Sequence, residues 1–118
     1  MKTLVIGSST NPERYSFKAI TSLRSHAQEV VAHGLKTGKV ADVEIQAEWP
    51  KDEIIDTVTL YVGPQNQEEY IDKIIQLKPR RIIFNPGTEN PDFVEKATHQ
   101  GIECEIACTL VLLATNQY

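Results

Sequence analysis

The residues with the clearest chemical potential form a turn near the amino terminus, residues 7–16, with the sequence Gly-Ser-Ser-Thr-Asn-Pro-Glu-Arg-Tyr-Ser. The turn follows a short apolar run and precedes a helical pattern, so its amides would lie at a helix N-terminus, which attracts phosphate. The hydroxyls of Ser9, Thr10 and Ser16 would add donors, and Arg14 would add positive charge. The same residue types also cap helices without any ligand, so this loop alone favours neither interpretation.

The turn departs from the dinucleotide-binding fingerprint G-x-G-x-x-G. Gly7 takes the first glycine position, but Ser9 and Pro12 stand at the other two. The acidic residue expected about 20 residues later, which would bind a ribose diol, is also missing. Lys36 follows the second predicted strand instead, and a cation suits a phosphorylated ribose. NAD is therefore disfavoured, whereas coenzyme A (CoA), with its 3′-phosphate, and NADP remain.

The elements that must position these residues alternate between strands and helices. Apolar periodicity predicts helices that begin near residues 15, 64 and 93, whereas the period of the apolar run at 109–114 does not by itself distinguish a final helix from a strand. Because the segment 34–55 has no helical period, we expect an irregular crossover there, with a short edge segment at 43–45. Short apolar runs predict five strands, at residues 3–6, 29–32, 56–62, 81–84 and 102–107.

This alternation predicts a single α/β domain over residues 1–118 with a Rossmann-like, doubly wound, five-stranded parallel sheet. We expect three α/β/α layers and the strand order 3-2-1-4-5. Ligands of such sheets bind outside the carboxyl ends of the strands. At the carboxyl ends of the predicted strands lie the turn at residues 7–16, Lys36, Val62–Pro64, Asn85–Gly87 and Cys108, so we expect these segments to be close together.

Composition excludes several classes of function. The 118 residues have ordinary globular composition and no apolar run of about 18 residues, so we expect no membrane span. The net charge of −4 argues against nucleic-acid binding. Two cysteines four positions apart fit neither a zinc knuckle nor a disulfide scaffold, and we expect no metal. The amino terminus lacks a signal-peptide pattern, which predicts a cytoplasmic protein.

Charge is unevenly distributed along the chain. Residues 1–40 contain six Lys and Arg against two acidic residues, whereas residues 41–118 contain six against fourteen. Chance placement on solvated faces is the favoured explanation on charge alone, and an anion site in the first third is the alternative. No Gly-Lys-Ser/Thr follows a strand, which excludes a P-loop, and the strand ends lack the carboxylates of a receiver domain.

Several segments together resemble the CoA-binding domain family. These are Val-Ile-Gly-Ser-Ser-Thr-Asn-Pro-Glu-Arg-Tyr-Ser in residues 2–16, Val-Val-Ala with Lys36, Ile-Asp-Thr-Val at 55–58, Phe-Asn-Pro-Gly at 84–87 and Ile-Ala-Cys at 106–108. The chain is similar to the domain in the succinyl-CoA synthetase α subunit and most similar to free-standing members. It departs from the family where Ala-His-Gly-Leu replaces a Pro-Val-Asn-Pro-like run, and where Ile-Ala replaces Asp-Arg before Cys108.

The resemblance implies that CoA lies across the strand ends. Ser9, Thr10 and Asn11 would meet its phosphates, and Lys36 would pair with a phosphate near the ribose. Val62 and Pro64 would flank the adenine or the pantetheine arm. The expected ligand-binding residues are Gly7, Ser9, Thr10, Asn11, Arg14, Ser16, Lys36, Val62, Pro64, Asn85, Pro86 and Gly87.

The resulting hypothesis is a protein that binds CoA or an acyl-CoA and is not an enzyme on its own, since no catalytic grouping is visible. We expect His33 to be an exposed loop residue, Trp49 a loop anchor and Cys108 a buried small side chain. Two alternatives stay open: an NADP-type binding module or small oxidoreductase, and a protein-interaction domain with a vestigial pocket. A homodimer or a partner enzyme is compatible with each.

Overall fold

The computed structural model describes residues 1–118, and its strands follow the apolar runs of the sequence. Four α-helices connect or flank the strands: α1 (Tyr15–Ser25), α2 (Glu68–Leu77), α3 (Pro91–His99) and α4 (Thr109–Ala114). A single 3-10 turn, Pro64–Asn66, precedes α2. The strands are β1 (Lys2–Ile6), β2 (Glu29–His33), β3 (Gly38–Val40), β4 (Val43–Gln46), β5 (Thr57–Leu60), β6 (Arg81–Phe84) and β7 (Glu103–Ile106).

The seven strands form one mixed sheet in the order β3-β4-β2-β1-β5-β6-β7. Every neighbouring pair is parallel except β3 and β4. Ile6 lies opposite both His33 and Leu60, and Phe84 lies opposite both Leu60 and Ile106. The carboxyl ends of five parallel strands are therefore level, and we call this row of strand ends the carboxyl edge.

The α/β class is confirmed, but the expectation of five strands, all parallel, in the order 3-2-1-4-5 is wrong. The predicted third strand is β5, which lies beside β1 and not outside β2. The place beside β2 is taken by β4, because the segment 34–55, which has no crossover helix, contains the hairpin of β3 and β4. Its turn uses Ala41 with a φ of 54°, and β3 pairs with β4 through Lys39 and Glu44.

Helices cover both faces of the sheet, as the three-layer expectation requires. On one face, Val5, Ala32 and Ile45 pack with Ile20 of α1 and Leu113 of α4. On the other, the strands pack with α2 and α3. Trp49 and Ile55 join that second cluster, so the chain between β4 and β5 covers part of the sheet where a helix usually would. No helix of the structure is both long enough and apolar enough to cross a membrane.

An ion pair at the opposite, amino end of the sheet fastens β5 to β6. Two of the guanidinium nitrogens of Arg80, Nε and Nη2, donate to the Asp56 carboxylate, at 2.9 and 3.0 Å. The Asp56 main-chain carbonyl also accepts the amides of Arg80 and Arg81. The hydrogen bonds from Arg80 hold the pKa of Asp56 below its ordinary value.

We expect Asp56→Asn to lower the free energy of unfolding at pH 7 by about 1 kcal/mol, as for a good but partly solvated ion pair. Since the folded pKa of Asp56 is lowered, its contribution is present above the unfolded value of about 3.9 and is lost as the pH falls through the folded one. Urea unfolding from pH 7 to pH 3 should show the difference from wild type disappearing. Asp72→Asn, at an exposed ion pair with Lys96, is the control and should hardly change the free energy of unfolding. If Asp56→Asn lowered the free energy of unfolding equally at every pH, the ionised carboxylate of Asp56 would not be the source of the stabilisation.

Candidate ligand-binding site

The loop between β1 and α1, residues 7–14, is fastened to the strands on both sides. The amides of Gly7 and Ser8 both donate to the His33 carbonyl, at 3.1 and 3.0 Å. Gly7 has a φ of +86°, and a β-carbon there would lie 2.8 Å from the Tyr61 carbonyl oxygen. Only glycine combines this backbone conformation with this approach. The loop therefore leaves β1 in one direction, across the carboxyl edge.

The loop between β2 and β3, residues 34–37, lies against the β1–α1 loop. A β-carbon on Gly34 would overlap the Ser8 carbonyl oxygen, and one on Gly38 would overlap the methyl group of Thr10. Lys36 is exposed between these two glycines. Two contacts thus hold the segment that carries Lys36 against Ser8 and Thr10, so the structure brings Lys36 to the predicted phosphate loop.

The N-terminus of α1 has no side-chain cap and no acidic residue in its first turn. The polar side chains that could have capped it stabilise the loop instead: Ser9 Oγ accepts the Asn11 amide, and Asn11 Oδ1 accepts the Glu13 amide, each at 3.0 Å. The first-turn amides and the positive end of the helix dipole are therefore left without a side-chain partner. Arg14 is exposed at this point, whereas Ser16 is buried.

Asn85, a predicted ligand contact, is 2% exposed and has its amide bonded inside the protein. Its Nδ2 donates to Thr59 Oγ1 (2.6 Å) and to the Leu60 carbonyl (2.8 Å), and its Oδ1 accepts the Thr109 amide (2.9 Å). The side chain thereby joins the ends of β5 and β6 to the start of α4. Its contact with a ligand stays a prediction, and its visible role is to fix this part of the edge.

Gln67 is a buried residue of the site region that sequence reasoning missed. It is fully buried, and its Nε2 donates to the carbonyls of Val62 and Thr88, both at 2.8 Å. Its Oε1 accepts from Asn90 at 3.0 Å. Gln67 thus ties the chain after β5 to the chain after β6. A glutamine just before a helix looks like a surface residue, so the sequence carries no signal for this role.

The loop between β6 and α3, residues 85–90, presents Pro86 and Gly87 to solvent. Gly87 has a φ of +90° with no atom within 4 Å of a β-carbon built there. Its amide donates to Glu89 Oε1 at 2.9 Å. Across from it, Val62 is half-buried and Pro64 is exposed. This half of the edge is therefore open and partly apolar.

His33 is 7% exposed, so the expectation of an exposed loop histidine is wrong. Its ring packs edge-on against Trp49 and Tyr70, with centroid distances of 5.3 and 5.8 Å. Its Nδ1 lies 3.2 Å from the Glu48 carbonyl. Trp49 acts as the expected loop anchor, since it also stacks on Tyr70. The aromatic cluster buries His33, and the sequence did not predict this because the partners Trp49 and Tyr70 are distant from His33 along the chain.

Two groups near α4 have the chemistry of a base or a nucleophile. Burial raises the pKa of Tyr61 to about 12, so its phenol keeps its proton at neutral pH. Its hydroxyl has no hydrogen-bond partner. Cys108 is half-buried at the start of α4 and forms no disulfide. No three His, Cys, Asp or Glu side chains converge as metal ligands would. Tyr61 is thus unsuited to act as a general base.

A groove of about 350 Å³ lies at the opposite, amino edge of the sheet. Its two cations are already paired, Lys2 with Glu53 and Arg24 with Asp42. Glu29 and Glu44 add unpaired negative charge to its lining. An anionic ligand is repelled there, so the carboxyl edge is the better candidate.

The fold and the carboxyl edge define a Rossmann-like α/β protein, and comparison with known proteins gives its family. The family model described as CoA binding domain matches residues 1–114. The chain therefore belongs to the CoA-binding domain family. No curated protein matches the sequence.

Solved structures agree with the observed fold. A protein described only as uncharacterized is 44% identical, with a TM-score of 0.95 over 99% of this chain and 97% of its own. A Thermus thermophilus protein is 20% identical, with a TM-score of 0.85 over 99% and 90%. A hypothetical protein from Pyrococcus horikoshii is 24% identical, with a TM-score of 0.81 over 92% and 78%. The last two support the fold alone.

Proposed function

We propose that the protein binds CoA or an acyl-CoA across the carboxyl edge. One observation carries the proposal: the loop that leads into the uncapped N-terminus of α1 packs, through contacts that require glycine, against the loop that carries exposed Lys36. Helix amides and a lysine suit a ligand with a pyrophosphate and a further phosphate. Membership in the CoA-binding domain family supports CoA over other phosphorylated ligands.

The ligand's orientation follows from charge and polarity. The pyrophosphate binds the amides that begin α1, next to Arg14, and the 3′-phosphate pairs with Lys36. The pantetheine arm crosses the ends of β5 and β6, where Val62, Pro64 and Gly87 offer an open, partly apolar path. Asn85 acts beneath this path as a support.

The proposal includes the absence of catalysis by this chain alone. The protein would then hold CoA as a sensor or carrier, or present it to a partner enzyme. Two free cysteines fit a reducing compartment such as the cytoplasm.

Thermal unfolding with CoA, dephospho-CoA, NADP and NAD tests the ligand class. A ligand at about 100 times its dissociation constant adds about 2.7 kcal/mol, which for a domain of this size raises Tm by roughly 10 °C. We expect the largest shift with CoA and a smaller one with dephospho-CoA. A shift with NADP alone would instead favour the oxidoreductase alternative. No shift with any of the four would favour a protein-interaction domain.

We expect Lys36→Ala to weaken CoA binding about fivefold, which corresponds to about 1 kcal/mol for one exposed charge pair. Dephospho-CoA binding should change less than twofold, because the variant loses a contact to the 3′-phosphate only. Isothermal titration calorimetry at fixed ionic strength measures both. Lys51→Ala, on the chain that returns to β5, removes the same charge away from the site and is the control. Equal losses for both ligands would remove Lys36 from the 3′-phosphate contact.

A further inference from the structure

The two halves of the carboxyl edge carry opposite charge. On the β1 and β2 side, Arg14 and Lys36 are exposed near the uncapped start of α1, against one exposed carboxylate of the β1–α1 loop, Glu13. The β6–α3 loop contains no cation, and its only charged side chain is Glu89. The edge is therefore positive where phosphates would bind and negative where the pantetheine arm would end.

The Glu89 carboxylate is held in place and not neutralised. Its Oε1 accepts the Gly87 amide at 2.9 Å, and it forms no salt bridge. The basic residues of the neighbouring elements are engaged elsewhere: Lys96 pairs with Asp72, and Arg81 pairs with Glu105. No neighbouring cation therefore pairs with the charge of Glu89 at this end of the edge.

The space beside this carboxylate is open. No atom lies within 4 Å of a β-carbon built on Gly87. The backbone here is nevertheless well fixed, because Asn85, Thr88 and Gln67 bond the loop to β5 and to the chain that follows β5. Asp92, in the first turn of α3, adds charge of the same sign. A second carboxylate that entered this space would meet like charge, and the Phe93 amide at the start of α3 is already bonded to Asn90 Oδ1.

We propose that Glu89 determines which CoA derivatives bind: the site accepts CoA with a free thiol or an uncharged acyl group and discriminates against acyl groups that end in a carboxylate. The inference rests on the proposed function, since it requires that the thiol end of CoA reaches the β6–α3 loop. Glu89 acts here through charge and is not a catalytic residue.

Two isosteric thioethers of CoA test the inference without hydrolysis: S-carboxymethyl-CoA and S-carbamoylmethyl-CoA, which differ only in a carboxylate and its amide. For like charges separated by water near a surface, we expect the carboxylate to bind about three- to tenfold more weakly. The ratio of the two dissociation constants, measured by calorimetry, should decrease as salt rises from 50 to about 500 mM because such charges are screened.

Glu89→Gln should bring this ratio to about twofold or less, because glutamine keeps an oxygen for the Gly87 amide and removes only the charge. Glu95→Gln, on the exposed side of α3, changes the net charge equally and should leave the ratio as in wild type. A wild-type ratio near one, or a ratio that Glu89→Gln leaves unaltered, overturns the inference while CoA binding stands. Failure of CoA itself to bind overturns the proposed function, so the two failures are distinguishable.

Discussion

Gly7→Ala should lower the free energy of unfolding by about 3 kcal/mol or more. Two effects combine. A side chain at a φ of +86° costs about 1 to 2 kcal/mol. The new β-carbon would also lie 2.8 Å from the Tyr61 carbonyl oxygen and 2.9 Å from a Val62 methyl group, so β5 or the loop must move. Such overpacking costs a further 1 to 3 kcal/mol, roughly.

Urea unfolding measures this loss, and Gly101→Ala separates its two parts. Gly101 has a φ of +79° but no atom within 4 Å of its β-carbon position. Alanine there should therefore cost only the backbone part, about 1 to 2 kcal/mol. Equal losses at the two glycines would show that the contact with β5 does not constrain the loop. The folded Gly7→Ala protein should also bind CoA more than about tenfold more weakly, since the amides at the start of α1 are displaced.

Asn85→Ala should lower the free energy of unfolding by about 3 to 4 kcal/mol. The change removes three hydrogen bonds and leaves the Thr109 amide and the Leu60 carbonyl buried without partners. Each unpaired buried group costs about 1 to 3 kcal/mol, and the missing volume adds to this. The Thr59 hydroxyl keeps its bond to Thr109, which limits the damage.

Urea unfolding measures this loss as well, with Asn66→Ala as the control. Asn66 lies exposed in the 3-10 turn before α2, and alanine there should change stability by less than about 0.5 kcal/mol. A loss below about 1 kcal/mol for Asn85→Ala would mean that the ends of β5, β6 and α4 do not depend on this amide. CoA binding by the folded variant then reports whether Asn85 supports the ligand path.

Local sequence signals predicted most of the secondary structure because the strands are short apolar runs and the helices keep their period. Residues 81–84 form a strand buried on both faces, and Phe93 and Ala97 mark the buried side of α3. The strand order was not predictable in this way. The order depends on the hairpin of β3 and β4, which Gly38 and Ala41 indicate only weakly as turn residues. It also depends on the pairing of β5, which lies beside β1 because β4 occupies the edge of β2.

The candidate site likewise has some features that local sequence predicts and others that arise only from the fold. The turn at Gly7 and the position of Lys36 follow from residue types and spacing, because strand ends meet at one edge of a parallel sheet. The burial of His33 and the bonds of Gln67 do not, since their partners Trp49 and Thr88 are brought close only by the fold. Asn85 was expected at a ligand, yet the structure engages its whole amide in joining three elements.

Amide chemical-shift mapping of the 15N-labelled protein during titration with CoA tests the central claim most directly. If CoA binds across the carboxyl edge, the amide signals of Ser9, Tyr15 and Lys36 should show saturable shifts. Adenosine 3′,5′-bisphosphate should reproduce those shifts wherever the 3′-phosphate contacts the chain. Binding at the carboxyl edge is ruled out if saturating CoA shifts only residues of the amino-edge groove, such as Arg24 and Asp42, or shifts none.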